Sequence, residues 1–138
     1  MKKIFVIYGH YNNKSFTCAI KDTFIESAKQ NGHEIDLADL YQDKFNPVFA
    51  GEKANEEIKS YQSRIEKADV IVFIYPIWWF RAPAIVEGFI DRVFTPPWAF
   101  KFKKVIGYYG YPVGKLKNKR AIIFNAYGSP RFATVLFF

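Results

Sequence analysis

Cysteine is almost absent from this chain: Cys18 is the only one in 138 residues. A single thiol excludes an intrachain disulfide and fits a reducing compartment. With two histidines, His10 and His33, it also leaves no metal cluster of recognised ligand spacing. Several motifs are missing. There is no GxGxxG dinucleotide fingerprint and no GxxxxGK(S/T) phosphate loop. No G-x-S-x-G elbow is present, which argues against a Ser-His-Asp hydrolase. Long apolar runs are missing too. Val70–Phe80 falls well short of the roughly 20 residues that span a bilayer. After the basic Met1–Lys3 only Ile4–Tyr8 is apolar, too short for a secretory leader. The reading is a cytoplasmic protein with no membrane insertion. Acidic residues are outnumbered, 13 against 20 Lys and Arg, for a net charge of +7. Such a balance attracts nucleic acid, acidic lipid or phosphorylated cofactors. The basic residues gather at Lys101–Lys104 and Lys115–Arg120, as lysine-rich loops do. No zinc-finger or RNA-binding signature accompanies them, so no nucleic-acid partner is expected.

What is abundant is aromatic. Phe, Trp and Tyr make up 20% of the residues, enough for a rich core or a stacking site. The most informative stretch is Ala68–Phe94. Val70–Tyr75 is an unbroken apolar run, the pattern of a buried parallel strand. Pro76, Trp78, Trp79, Phe80 and Arg81 follow, and Pro83 opens an amphipathic segment, with Pro favoured at a first helical position. The order is strand, aromatic loop, helix. Elsewhere Ile4–Tyr8, His33–Leu40 and Ala121–Asn125 read as strands, the second with Ile35 and Leu37 on one face. A helix capped by Ser15 and closed by Gly32 places Phe16, Ala19, Ile20, Thr23, Phe24 and Ala28 at helical spacing. Cys18 falls on its apolar side and is expected to be buried and inert. A second helix over Asn55–Lys67 aligns Ile58, Tyr61, Ile65 and Ala68. A third spans Pro83–Phe94, and Thr95-Pro96-Pro97 stops it. Trp98–Lys119 shows no clear period and is expected to be a long functional loop.

Strands alternating with helices imply a parallel sheet with right-handed crossovers. The expected fold is an α/β three-layer sandwich of flavodoxin-like type, sheet order 2-1-3-4. All 138 residues form one domain, incomplete at the C-terminus because the usual fifth strand and last helix are missing. Val135-Leu136-Phe137-Phe138 begins no complete strand-helix unit, so a partner chain or a missing portion is expected to cover the edge.

In this order strands 1 and 3 flank the switch point, where open α/β sheets bind ligands. The loop after strand 1, Gly9–Thr17, ends at a helix N-terminus. Free N–H groups and the helix dipole make that end an anion site, with Ser15 and Thr17 hydroxyls, His10 and Lys14 beside it. A capped helix with no ligand has the same sequence. The loop after strand 3, Pro76–Arg81, offers aromatic walls to a planar ring or to a dimer partner. Arg81 could neutralise an anion or simply face solvent. The turn Ala126-Tyr127-Gly128-Ser129 lies beside it and could close the pocket.

These residues carry a resemblance. Pro76-Ile77-Trp78-Trp79-Phe80-Arg81-Ala82-Pro83-Ala84-Ile85 with Gly88-Phe89-Ile90-Asp91-Arg92-Val93-Phe94 resembles the signature of NAD(P)H:quinone oxidoreductases, the DT-diaphorase-like flavoproteins. The His10 and Ser15-Phe16-Thr17 loop and Phe45-Asn46-Pro47 resemble further landmarks, and the likeness runs from Lys3 to about Arg131. It implies a dimer that binds FAD or FMN non-covalently. A hydride would pass from NAD(P)H through the flavin to a quinone or similar acceptor. It further implies that His10, Ser15, Phe16 and Thr17 hold the flavin phosphates. Pro76, Ile77, Trp78, Trp79 and Phe80 would line the isoalloxazine, and Ala126, Tyr127, Gly128 and Ser129 would close its far side. Phe100 and Phe102 match aromatics that reach across the dimer to the acceptor. The family often has Thr-Thr-Gly-Gly where this chain has Ala126-Tyr127-Gly128-Ser129. No catalytic acid is identified. Some relatives are ancillary regulatory subunits of potassium-efflux antiporters, where docking replaces turnover, and that is the alternative role.

Overall fold

Residues 1–107 and 109–128 are described by the computed structural model. Four parallel strands form the main sheet: β1 (Lys3–Tyr8), β2 (Glu34–Asp39), β3 (Val70–Pro76) and β6 (Arg120–Ala126), in the order β2-β1-β3-β6. That is the expected 2-1-3-4 arrangement, its fourth member being β6. Helix α1 (Phe16–Gln30) covers one face, and α2 (Glu56–Lys67) and α3 (Ala84–Val93) cover the other. The alternating side chains of β1 explain the two cores. Phe5 and Ile7 pack toward α2 and α3, while Ile4, Val6 and Tyr8 pack toward α1.

Two expectations change. Trp98–Lys119 is mostly not a loop. It contains an antiparallel hairpin, β4 (Phe100–Ile106) with β5 (Tyr109–Gly114), set apart from the main sheet. Glycines and prolines hid its period, and a register shift after Lys104 breaks the alternation further. The apolar stripe of α1 is only partly as expected: Ala28 is buried and Ile20 and Phe24 pack half-buried on the core, while Phe16, Ala19 and Thr23 are exposed. Thr17, Cys18 and Ala28 are the buried residues, and Phe16 is 75% exposed. Phe16, Ala19, Ile20, Thr23 and Phe24 line an open groove against Phe124 of β6. Two adjacent stripes on one helix share similar spacing, and only packing decides which faces the sheet. In β2, Ile35 is half-buried against the α1 core but Leu37 is largely exposed, because β2 is an edge strand. Pro83 is the N-cap of α3, so the helix begins at Ala84, one residue after the expected start at Pro83.

The predicted face of α2 is buried as Ile58, Tyr61 and Ile65, with Asn55 Oδ1 accepting from the Ile58 N–H at 3.0 Å as the cap. Ser15 Oγ caps α1 by accepting from Cys18 N–H at 3.1 Å, and Gly32 follows the helix at φ +76°. Cys18 is buried.

The segment after β2 is clamped onto α3. Phe45 packs against Tyr61 and Phe89. Arg92, 5% exposed, donates to the Asn46 carbonyl and pairs with Glu52 at 3.2 Å. Burial, and next the Asp43 carboxylate, push the Tyr61 phenol from 10.0 up to about 12. An unfolded chain would release that proton first, near pH 10. The contribution to stability is therefore complete below about pH 10 and is lost as pH rises through about 12. Chemical denaturation at a series of alkaline pH values should show this decline, and Tyr61→Phe should flatten it.

Candidate functional site

Three loops meet at the C-terminal end of the sheet. The Gly9 N–H donates to the Ile74 carbonyl at 3.0 Å, tying the loop after β1 to the end of β3. The Ile77 N–H donates to the Ala126 carbonyl at 2.7 Å, tying the loop after β3 to the loop after β6. His10 meets Trp78 edge-on, with ring centroids 5.7 Å apart. The two loops that topology placed opposite each other are in contact. Gly9 is needed for this approach, since a Cβ there would run into a methyl of Val86 on α3.

The first loop organises itself around Asn12. Its N–H donates to His10 Nδ1 at 2.9 Å, its side-chain oxygen accepts from Lys14 N–H, and its carbonyl accepts from Ser15 N–H. With Nδ1 accepting, a neutral His10 carries its hydrogen on Nε2 and can donate from there. Ser15 Oγ is already the acceptor of the cap, so what it has left to offer is its proton. The N–H groups of Phe16 and Thr17 have no acceptor among the described residues. Thr17 is itself buried. Behind this turn lies the buried Tyr8 hydroxyl, beside Ser15 and Cys18 and with no hydrogen bond of good geometry among the described residues. Burial pushes its pKa up, so it stays a protonated donor. The set consists of donors at a helix N-terminus, which suits phosphate oxygens.

The second loop is a tight reversal. Trp78 and Arg81 exchange backbone hydrogen bonds at 3.0 and 3.1 Å. Between them Trp79 and Phe80 have φ +51° and +63°. Positive φ at both central positions is the mark of a type I′ turn, which favours Asn-Gly over aromatic residues. The strained backbone presents Trp79 at 91% exposure, with Phe80 also exposed. Strain of this kind concentrates at ligand sites. Arg81 does not face the anion loop as an available charge: it pairs with Glu87 at 3.1 Å. Pro76 ends β3 opposite Ala126, and Ile77 leads into the turn.

In the third loop Ala126 lies beside Pro76 and Ile77, and a Cβ on Gly128 would meet nothing within 4 Å among the described residues. Ser129 lies outside the described residues. Phe100 and Phe102 stack edge to face on β4. Among the described residues no ring contact joins either to the three loops. Phe100 instead lines a separate cavity of about 840 Å³ with Phe49, Phe94 and Trp98.

Two residues escaped sequence reasoning. Tyr11 stacks on His10 at 5.0 Å and leans on Trp78 at 5.9 Å. Tyr41, just after β2, meets Tyr11 at 6.2 Å, and its N–H donates to Asp39 Oδ1. Burial, with Tyr11 next, raises the Tyr41 pKa. Its place after a strand at the same end of the sheet was the available signal.

A family model described as flavodoxin-like fold matches residues 2–136. An uncharacterized NAD(P)H oxidoreductase of Haemophilus influenzae is 35% identical over 90% of this chain and 63% of its own length. NAD(P)H dehydrogenase [quinone] 1 of Cavia porcellus is 26% identical over 89% of this chain and 52% of its own length. The crystal structure of Smu.1420 from Streptococcus mutans UA159 superposes with a TM-score of 0.83 at 33% identity, covering 99% of this chain and 73% of that one. This chain therefore spans between about half and under two thirds of the curated relatives' length.

Proposed function

We propose that this chain, which belongs to the flavodoxin-like fold family and to its NAD(P)H:quinone oxidoreductase group, is a flavin-binding domain that serves hydride transfer from NAD(P)H to a quinone or similar acceptor. One observation carries the reading. Unpaired N–H donors at the start of α1 and an aromatic turn in strained geometry meet across one crevice. Phosphate and a flat ring are the two parts of FMN, and FAD contains both. The flavin, when bound, supplies the hydride chemistry.

The residues divide the work. Phe16 and Thr17 N–H groups, the Ser15 hydroxyl and His10 Nε2 hold the phosphates. Pro76, Ile77, Trp78, Trp79 and Phe80 line one side of the ring, and Ala126, Tyr127, Gly128 and Ser129 close the other. Tyr11 braces His10 and Trp78, and Tyr41 supports Tyr11 from behind. In a cytoplasmic homodimer, Phe100 and Phe102 wall the acceptor site across the interface. The whole of residues 1–138 acts as one such domain. The antiporter-subunit alternative has no observation in its favour.

The first test is colour. The purified chain should carry, or take up, FAD or FMN with a visible flavin spectrum. Titration with each flavin names the preferred one. NADPH or NADH consumption with a simple quinone should follow, with parallel double-reciprocal lines. A colourless chain that takes up neither flavin overturns the reading.

A further inference from the structure

One residue of the β1 core departs from its neighbours. Ile4, Val6 and Tyr8 pack toward α1. The first two are aliphatic, but the third carries a hydroxyl at the C-terminal end of the strand, where the crevice opens. Tyr8 is 1% exposed. Its oxygen is the one buried side-chain polar atom among the described residues that lacks a hydrogen bond of good geometry. Burying a hydroxyl without a partner is costly, and such a group calls for an explanation.

Its neighbours decide which partner is available. Burial keeps the phenol protonated, so what it needs is an acceptor. Ser15, Cys18, Lys21 and Asp39 stand around it. Lys21 Nζ lies over the face of the ring, 5.0 Å from its centroid, and an ammonium only donates. Asp39 acts on the phenol through its charge, and its Oδ1 already accepts from the Tyr41 and Gln42 N–H groups. Cys18 Sγ donates to Asp22 at 3.4 Å, and a thiol sulfur accepts weakly. Ser15 Oγ remains. It has two lone pairs, and Cys18 N–H at 3.1 Å uses one of them. A hydroxyl that accepts twice has only its own proton left to give. Ser15 is the N-cap of α1, beside the Phe16 and Thr17 N–H groups that have no acceptor among the described residues.

We propose that Tyr8 is a positioning residue for an anion held at the start of α1. When the anion is seated, the Tyr8 O–H donates to Ser15 Oγ. Cys18 N–H holds the other lone pair, so the Ser15 proton is directed at an anion oxygen. Without the anion Ser15 has no such preference, and the Tyr8 hydroxyl stays unanswered. One ligand oxygen thereby satisfies two hydroxyls. The identity of that ligand as a flavin phosphate rests on the proposed function, whereas the relay itself needs only a phosphate oxygen.

Tyr8→Phe removes the hydroxyl and keeps the ring. FMN should bind this variant roughly tenfold more weakly than the parent. Riboflavin, which has the same ring system and no phosphate, should bind both alike. The ligand-free variant should melt no lower than the parent, because the hydroxyl it loses had no good bond. In a Ser15→Ala background, Tyr8→Phe should have no further effect on FMN. Inorganic phosphate is the probe that needs no flavin. It should raise the melting temperature of the parent above that in chloride of equal ionic strength, and raise that of Tyr8→Phe by less. Equal weakening of FMN and riboflavin would make Tyr8 a packing residue and overturns the proposal. So does a full effect of Tyr8→Phe in the absence of the Ser15 hydroxyl. In a chain that takes up neither flavin the proposed function fails alone. Equal phosphate shifts in parent and variant, or none in the parent, then overturn the role of Tyr8 as well.

Discussion

Gly88→Ala is expected to lower stability by about 3 kcal/mol and the melting temperature by about 10 °C. A Cβ at Gly88 would occupy the space of the Pro47 carbonyl and Cα. Helix propensity acts the other way, since alanine in a helix interior is favoured over glycine by about 1 kcal/mol. The clash wins because Pro47 has nowhere to go. Its neighbour Phe45 is wedged between Tyr61 and Phe89, and the Asn46 carbonyl is held by buried Arg92. Gly114→Ala is the control: a Cβ there meets nothing within 4 Å, and its effect should be near zero. Thermal unfolding followed by circular dichroism measures both. Equal stability of the two variants would mean that the segment at Pro47 shifts freely on α3.

Trp79→Asn should move stability and binding in opposite directions. Trp79 sits at φ +51°, where an ordinary L-residue pays roughly 1 kcal/mol and asparagine much less. The indole is 91% exposed, so little packing is lost with it. The flavin-free chain should therefore gain about 1 kcal/mol. If the ring of a flavin lies against this turn, its dissociation constant should rise roughly tenfold with the loss of an aromatic wall. Urea denaturation without flavin and fluorescence titration with FMN and FAD give the two values. A more stable variant with unchanged affinity would remove Trp79 from the ring wall. A less stable one would show that the turn is not strained.

Much of the architecture was legible because it follows local rules. The apolar run Val70–Tyr75 has few ways to be satisfied other than burial on both sides of a sheet. Ser15 and Asn55 begin helices for the reason that their oxygens reach N–H groups three residues on. Once strand and helix alternate, handedness and connection rules place β1 beside β3, and the contact of His10 with Trp78 follows. The hairpin was not legible, since Gly107, Gly110, Pro112 and Gly114 blur its alternation. The stripe of α1 was legible only in part: Cys18 and Ala28 are buried as expected, but Phe16 looked like core and is not.

The sequence by itself determined the order of the main-sheet strands and their helices, the topology of that sheet and the identity of the loops that meet at its end. Those follow from periodicity, capping and chain connectivity, which act over a few residues or through general chirality. Tertiary structure alone decided the tautomer-setting bond from Asn12 to His10, the pairing of Arg81 with Glu87, and the positive φ of Trp79 and Phe80. It also brought Tyr11 and Tyr41 to the crevice. The contacts of Tyr41 depend on segments distant in sequence, and the local features depend on which of several rotamers and turn geometries the surrounding packing selects, which no spacing along one segment encodes.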